Sequence, residues 1–108
     1  MNNTNATTAR QFRAIAPTAV KHAGRTYKAG AALYCDNTNT VRFDFIARKQ
    51  RGAIVASKVT VAVSYNAGSD LYAIEIVHFD GATFDTAILA DWSMVGPEAF
   101  ALVAGAVA

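Results

Sequence analysis

The sequence predicts an α+β fold: a short N-terminal helix, a four- to five-stranded antiparallel meander sheet, and a C-terminal helix packed on one sheet face. Three observations predict it. Apolar and polar residues alternate over much of the stretch from residue 31 to residue 88, the period-two signature of half-buried strands. Asn, Asp and Gly gather at the breaks between these runs, where the backbone must turn. Toward each end of the chain the alternation gives way to helix signals.

Residues 1–8 are rich in Asn and Thr and are expected to form a disordered tail, leaving 9–108 as a single domain. Thr7 or Thr8 is placed to cap a short helix through Arg10, Phe12 and Ile15, and Pro17 ends it by pushing Ala16 out of helical geometry. Residues 18–30 mix Lys21, His22, Arg25 and Lys28 with two glycines and no clear period. They read as a loop with one short strand near Arg25–Tyr27. Ala31–Cys35 reads as a strand, and Asp36-Asn37-Thr38-Asn39 as a turn.

Val41, Phe43, Phe45 and Ala47 then alternate with Arg42, Asp44 and Ile46. Beyond Arg48-Lys49-Gln50-Arg51-Gly52, the clearest strand sets Val55, Ser57, Val59, Val61, Val63 and Tyr65 on one face and Lys58, Thr60, Ala62 and Ser64 on the other. Asn66-Ala67-Gly68-Ser69 turns the chain into Leu71–Phe79, where Tyr72, Ile74 and Ile76 share the face opposite Glu75. Asp80-Gly81 turns it again, into a strand through Phe84, Thr86 and Ile88.

Gly96-Pro97-Glu98 opens a helix over 97–107, because proline suits the first turn and glutamate the positive end of the dipole. No polar side chain follows Glu98. One stripe of this helix is Phe100, Val103 and Val107 and a second is Ala99, Leu102 and Ala106, more than one sheet face covers. Either the helix lies across its own sheet with small alanines left outside, or it is also shared with a second copy; on the second reading a homodimer is expected, with Phe100, Leu102 and Val107 near its interface.

Charge is segregated along the chain. The first 58 residues hold ten cations and two carboxylates, a net +8, and the remaining residues hold six carboxylates and no lysine or arginine. A field this divided favours a partner selected by charge. The hydrophobic fraction of 53% with 17% charged residues places the chain among folded domains. The single Cys35 excludes an internal disulfide and is expected to be a small, partly buried apolar residue. No run approaches the length that crosses a bilayer, and Met1-Asn2-Asn3-Thr4-Asn5 lacks the character of a signal peptide, so a cytoplasmic protein with no membrane partner is expected.

From the strand Val41-Arg42-Phe43-Asp44-Phe45, the strand ending Val61-Ala62-Val63-Ser64-Tyr65, and Ser69-Asp70-Leu71-Tyr72-Ala73-Ile74-Glu75-Ile76 with its closing helix, the chain resembles small α/β proteins of unassigned function encoded by phages and plasmids. The resemblance covers about residues 40–105 and rests on the Asp-Leu-Tyr-x-Ile-Glu-Ile strand. It implies a mobile-element origin and no particular chemistry.

His22, His78 and Cys35 show no spacing of a metal site or a nucleophile pair, so no catalytic residue, metal or cofactor is expected. His78 reads as a structural or solvent-facing residue. Glu75 and Asp85 are placed to face each other across two strands, with Lys58 or Arg42 as the balancing cation. The basic segment offers the best surface: Arg48, Lys49 and Arg51 in the loop, with Arg42 and Lys58 nearby, are the expected partner-binding residues. Phe43 and Phe45 lie on the inward register, so aromatic stacking on an open sheet face is not met. The expectation is a small non-enzymatic protein that binds a host protein or nucleoprotein complex stoichiometrically, in its most concrete form an anti-CRISPR-like inhibitor of a defence system. The alternative is a nucleic-acid-binding accessory module using residues 42–58.

Overall fold

A computed structural model describes residues 3–34 and 39–107, and for residues 3 and 31–34 the backbone alone. The fold is α+β. A helix, α1 (Asn3–Ile15), precedes six strands: β1 (Ala19–His22), β2 (Arg25–Tyr34), β3 (Thr40–Ile46), β4 (Lys58–Asn66), β5 (Leu71–Phe79) and β6 (Thr86–Val95). A 3-10 segment (Pro97–Leu102) and a short helix α2 (Val103–Val107) close the chain. The strands pair antiparallel in the order β1-β2-β3-β4-β5-β6, so each lies beside its sequence neighbour.

Six strands replace the expected four or five. The additional hairpin joins β1 to β2 through Ala23 and Gly24, whose φ values of 51° and 79° are both left-handed. That is the geometry of a two-residue hairpin turn, but with alanine at a position where Asn or Gly would have announced it. In β2 the register slips between Ala29 and Ala32, which breaks the period of two. Gly30 sits at that slip, where an added Cβ would stand 3.1 Å from the Asp44 carbonyl oxygen. Cys35 and residues 36–38 of the expected turn lie outside the described residues.

Other boundaries also move. The helix α1 starts at Asn3, so residues 3–8, expected as tail, belong to it, and Asn5 and Thr8 are buried. Its end falls where Pro17 requires, with the Ala16 amide donating to the Phe12 carbonyl at 2.7 Å. The strand β4 begins at Lys58, and Val55 stays in the loop before it, exposed. The C-terminal segment is 3-10 before it becomes α-helical.

One sheet face is apolar and covered. Val41, Phe43 and Phe45 of β3, Val59, Val61 and Val63 of β4, and Tyr72, Ile74 and Ile76 of β5 are buried. From α1, Phe12 stacks on Phe43 at 4.1 Å between ring centroids, and it also meets Phe100 at 5.3 Å. Phe100 reaches Tyr72 at 5.0 Å in an edge-on contact. Phe100, Val103 and Val107 are fully buried within the chain's own core.

The sheet is curled, because α2 touches both edge strands, β1 and β6. The curl brings His22 of β1 toward His78 of β5, and His22 Nδ1 lies 3.0 Å from the Val107 carbonyl. Among the described residues no helix is long and apolar enough to cross a membrane.

Candidate functional site

One end of the sheet is built by pairing. The register carries one row across it, Ile46, Lys58, Phe79 and Thr86. The loop between Ile46 and Lys58 and the loop between Phe79 and Thr86 therefore leave from the same end. They are joined: the Gly81 amide donates to Ser57 Oγ at 3.0 Å, and Ser57 is buried. An added Cβ at Gly81 would come within 2.0 Å of the Val55 carbonyl oxygen. Gly81→Ala must push backbone from backbone, so a destabilisation of about 1–3 kcal/mol is expected. Denaturant melting checks the size, and amide resonance shifts confined to 53–57 and 80–85 check the cause.

Within the first loop, Ala47 donates to the Ser57 carbonyl at 3.1 Å and Ala53 to the Gln50 carbonyl at 3.1 Å, which ties the base and forms a tight turn. Gly52 is left-handed there, with φ 80°. With its amide oxygen turned toward the guanidinium, Gln50 accepts from Arg25 at 2.9 and 3.2 Å, which anchors the loop to β2. Arg48, Lys49 and Arg51 are left exposed around this frame. Lys58 stands at the loop's end with its ammonium 3.6 Å from Asp44, whose other carboxylate oxygen accepts from Thr60 at 2.8 Å.

Apolar side chains share this end. Ile54 is 71% exposed, and Ile46, Val55, Phe84 and Ile88 are exposed too. In the second loop, Asp80 Oδ1 accepts from the Ala82 amide at 2.8 Å, and the Phe84 amide donates to the Asp80 carbonyl at 2.8 Å. Phe84 is held at φ 61°, a conformation that strains a bulky residue. Its ring is presented to solvent and packs edge-on against Phe79 at 5.9 Å. Five exposed large apolar groups and three exposed cations thus sit at one end of the sheet, the composition expected of an interaction surface.

Four of the five expected partner-binding residues, Arg48, Lys49, Arg51 and Lys58, belong to this end. Arg42 does not. It lies four residues from Ile46, about 13 Å along β3, and lines an open trough of about 500 Å³ with Thr40, Ala62, Ser64, Glu75 and Asp91. The register sets Ala62 between Arg42 and Glu75, and Glu75 opposite Asp91. The expected Glu75–Asp85 pair is thereby corrected, since Asp85 falls before β6 begins.

The helix residues expected at a dimer contact separate in the same way. Phe100 and Val107 fill the core of their own chain, and Leu102, 58% exposed, stays on the surface. The 3-10 winding of Pro97–Leu102 directs Phe100 inward and Leu102 outward. Sequence reasoning missed the apolar part of the patch. Ile54, Phe84 and Ile88 come from separate segments, and only the strand register assembles them. The left-handed Phe84 has no sequence signal.

Because strand order equals sequence order, the charge segregation becomes spatial. Cations occupy α1 through β4, and the carboxylates of the later half lie on β5, on β6, in the turns before each and, for Glu98, in the 3-10 segment. Among the described residues no group of three or more His, Cys, Asp or Glu side chains is placed to hold a metal ion. Comparison with protein-family models, with curated proteins and with solved structures finds no match.

Proposed function

We propose that the protein is a non-catalytic interaction protein that docks its basic, apolar sheet end on an acidic face of a host protein or nucleoprotein complex. The observation that carries this reading is that two joined loops and the start of β6 place the exposed Arg48, Lys49 and Arg51 and the exposed Ile54, Val55, Phe84 and Ile88 at one end of the sheet. Cations steer the approach to an anionic surface. Aliphatic side chains gain nothing from phosphates, but they supply the apolar centre of a protein contact. The most specific form is an inhibitor of a defence system, of the anti-CRISPR kind, encoded on a phage or plasmid and acting in the host cytoplasm. An inhibitor of that kind needs a docking surface and no active site.

The test is co-purification of the full chain with its host complex, compared with Arg48→Gln/Lys49→Gln/Arg51→Gln. All three side chains are exposed, so the variant keeps its circular dichroism and melting temperature. Its recovery of the complex is expected to drop at least about tenfold, the worth of one modest ion pair across an interface. Unchanged recovery removes this end as the docking surface.

One observation favours the alternative, a nucleic-acid-binding module: Phe84 gives the basic end an exposed aromatic ring. That reading requires a mobility shift on single- or double-stranded nucleic acid that weakens steeply between about 50 and 200 mM salt. Its salt slope would flatten by roughly 3 in the triple variant. Absence of a shift at low salt leaves the protein partner.

A further inference from the structure

His22 on β1 and His78 on β5 are the two histidines of the chain. The curl of the sheet brings their rings to 4.8 Å between centroids, inclined at 50°. Each ring is anchored through one nitrogen. His22 Nδ1 lies 3.0 Å from the Val107 carbonyl, and a carbonyl only accepts, so this nitrogen carries the proton and the neutral ring presents a lone pair on Nε2. His78 Nε2 lies 3.0 Å from the hydroxyl of the buried Tyr27. A phenol takes either role, and an ion on Nδ1 requires the tautomer in which Nε2 donates to the hydroxyl.

This is how proteins prepare imidazoles as ligands: one ring nitrogen is fixed by a carbonyl, carboxylate or hydroxyl and the other faces the ion. The spacing suits the same purpose. A metal–nitrogen bond of about 2.0–2.1 Å puts the ion roughly 3.2 Å from each ring centre. Centroids 4.8 Å apart then subtend about 97° at the ion, between the octahedral and tetrahedral angles.

We propose that His22 and His78 together bind a divalent transition-metal ion of the zinc, nickel or copper class. The Val107 carbonyl and the Tyr27 hydroxyl orient the two rings, and solvent fills the remaining positions. Nitrogen ligands select these ions over magnesium and calcium, which take oxygen. Asp80 and Arg25 are the charged neighbours of His78, acting in opposite directions. A bound ion ties β1 to β5 and, through His22, to the last turn of α2. It clasps the curl of the sheet.

The test titrates tag-free full-length protein with zinc chloride and nickel chloride at neutral pH, following heat and thermal melting. One saturable site is expected, with a dissociation constant on the order of 10 µM, because two imidazoles supply half the ligands of a structural zinc site. Zinc in hundredfold excess over that constant is expected to raise the melting temperature by roughly 10 °C, and magnesium chloride is expected to leave it unchanged. His78→Gln and His22→Gln each remove the site, while Tyr27→Phe weakens it by about tenfold. If one histidine variant fails to fold, the other carries the comparison, since the two come from different strands. No saturable binding below 1 mM metal, or wild-type affinity retained in either folded histidine variant, overturns the proposal.

Discussion

Val61→Asp is expected to unfold the chain. Val61 is fully buried in the middle of β4, paired with Phe43 on β3 and Ile76 on β5, both also buried. Among the described residues that make up this core, none is a cation that could pair with a carboxylate there. Burying an unpaired charge costs several kcal/mol against a total stability of about 5–15 kcal/mol. Ala62→Ser, one residue along and on the opposite face, is expected to change stability by less than about 0.5 kcal/mol. Far-ultraviolet circular dichroism and thermal melting separate the two outcomes. A Val61→Asp variant melting within a few degrees of wild type would place Val61 outside the core.

Phe100→Ala carries the second large effect, a loss of about 3–5 kcal/mol. The ring is fully buried and in contact with Phe12 of α1 and Tyr72 of β5, so its removal opens a cavity where helix, 3-10 segment and sheet meet. Leu102→Glu, two residues on, should leave the melt nearly unchanged, because that side chain already faces solvent. Light scattering on Leu102→Glu and wild type reads any self-association through this leucine. Chemical denaturation of the pair reads the contrast between core and surface. Equal destabilisation by the two substitutions would contradict the inward and outward assignment.

The central sheet was legible because each of its three strands alternates cleanly. The inward sets Val41, Phe43, Phe45, then Val59, Val61, Val63, then Tyr72, Ile74, Ile76 are the buried ones. The first hairpin was not legible. Its turn uses Ala23 where a glycine or asparagine is the usual sign, and its second strand carries a register slip that erases the alternation. The candidate surface was half legible. Arg48, Lys49 and Arg51 announce themselves by proximity in sequence, whereas Ile54, Phe84 and Ile88 are gathered by hydrogen-bonded register and by the Gly81–Ser57 junction. Arg42 stands apart from the loop cations because alternation gives the face on which a strand residue lies and says nothing of how far along the strand its neighbours stand. The histidine pair was invisible for a related reason, since it depends on the curl that brings β1 against β5.

The meander also bears on how the chain is made. Each strand pairs with the one synthesised just before it, so contacts are local and the sheet can assemble stepwise as the chain leaves the ribosome. Its apolar face is different. The side chains that cover it from the C-terminal side, Phe100, Val103 and Val107, arrive after all six strands. A chain whose strands pair before residues 97–107 dock thus holds a hydrogen-bonded sheet with part of its apolar face bare. That is the interval in which the protein is most open to chaperone capture or aggregation, and it ends when the last turn of helix docks.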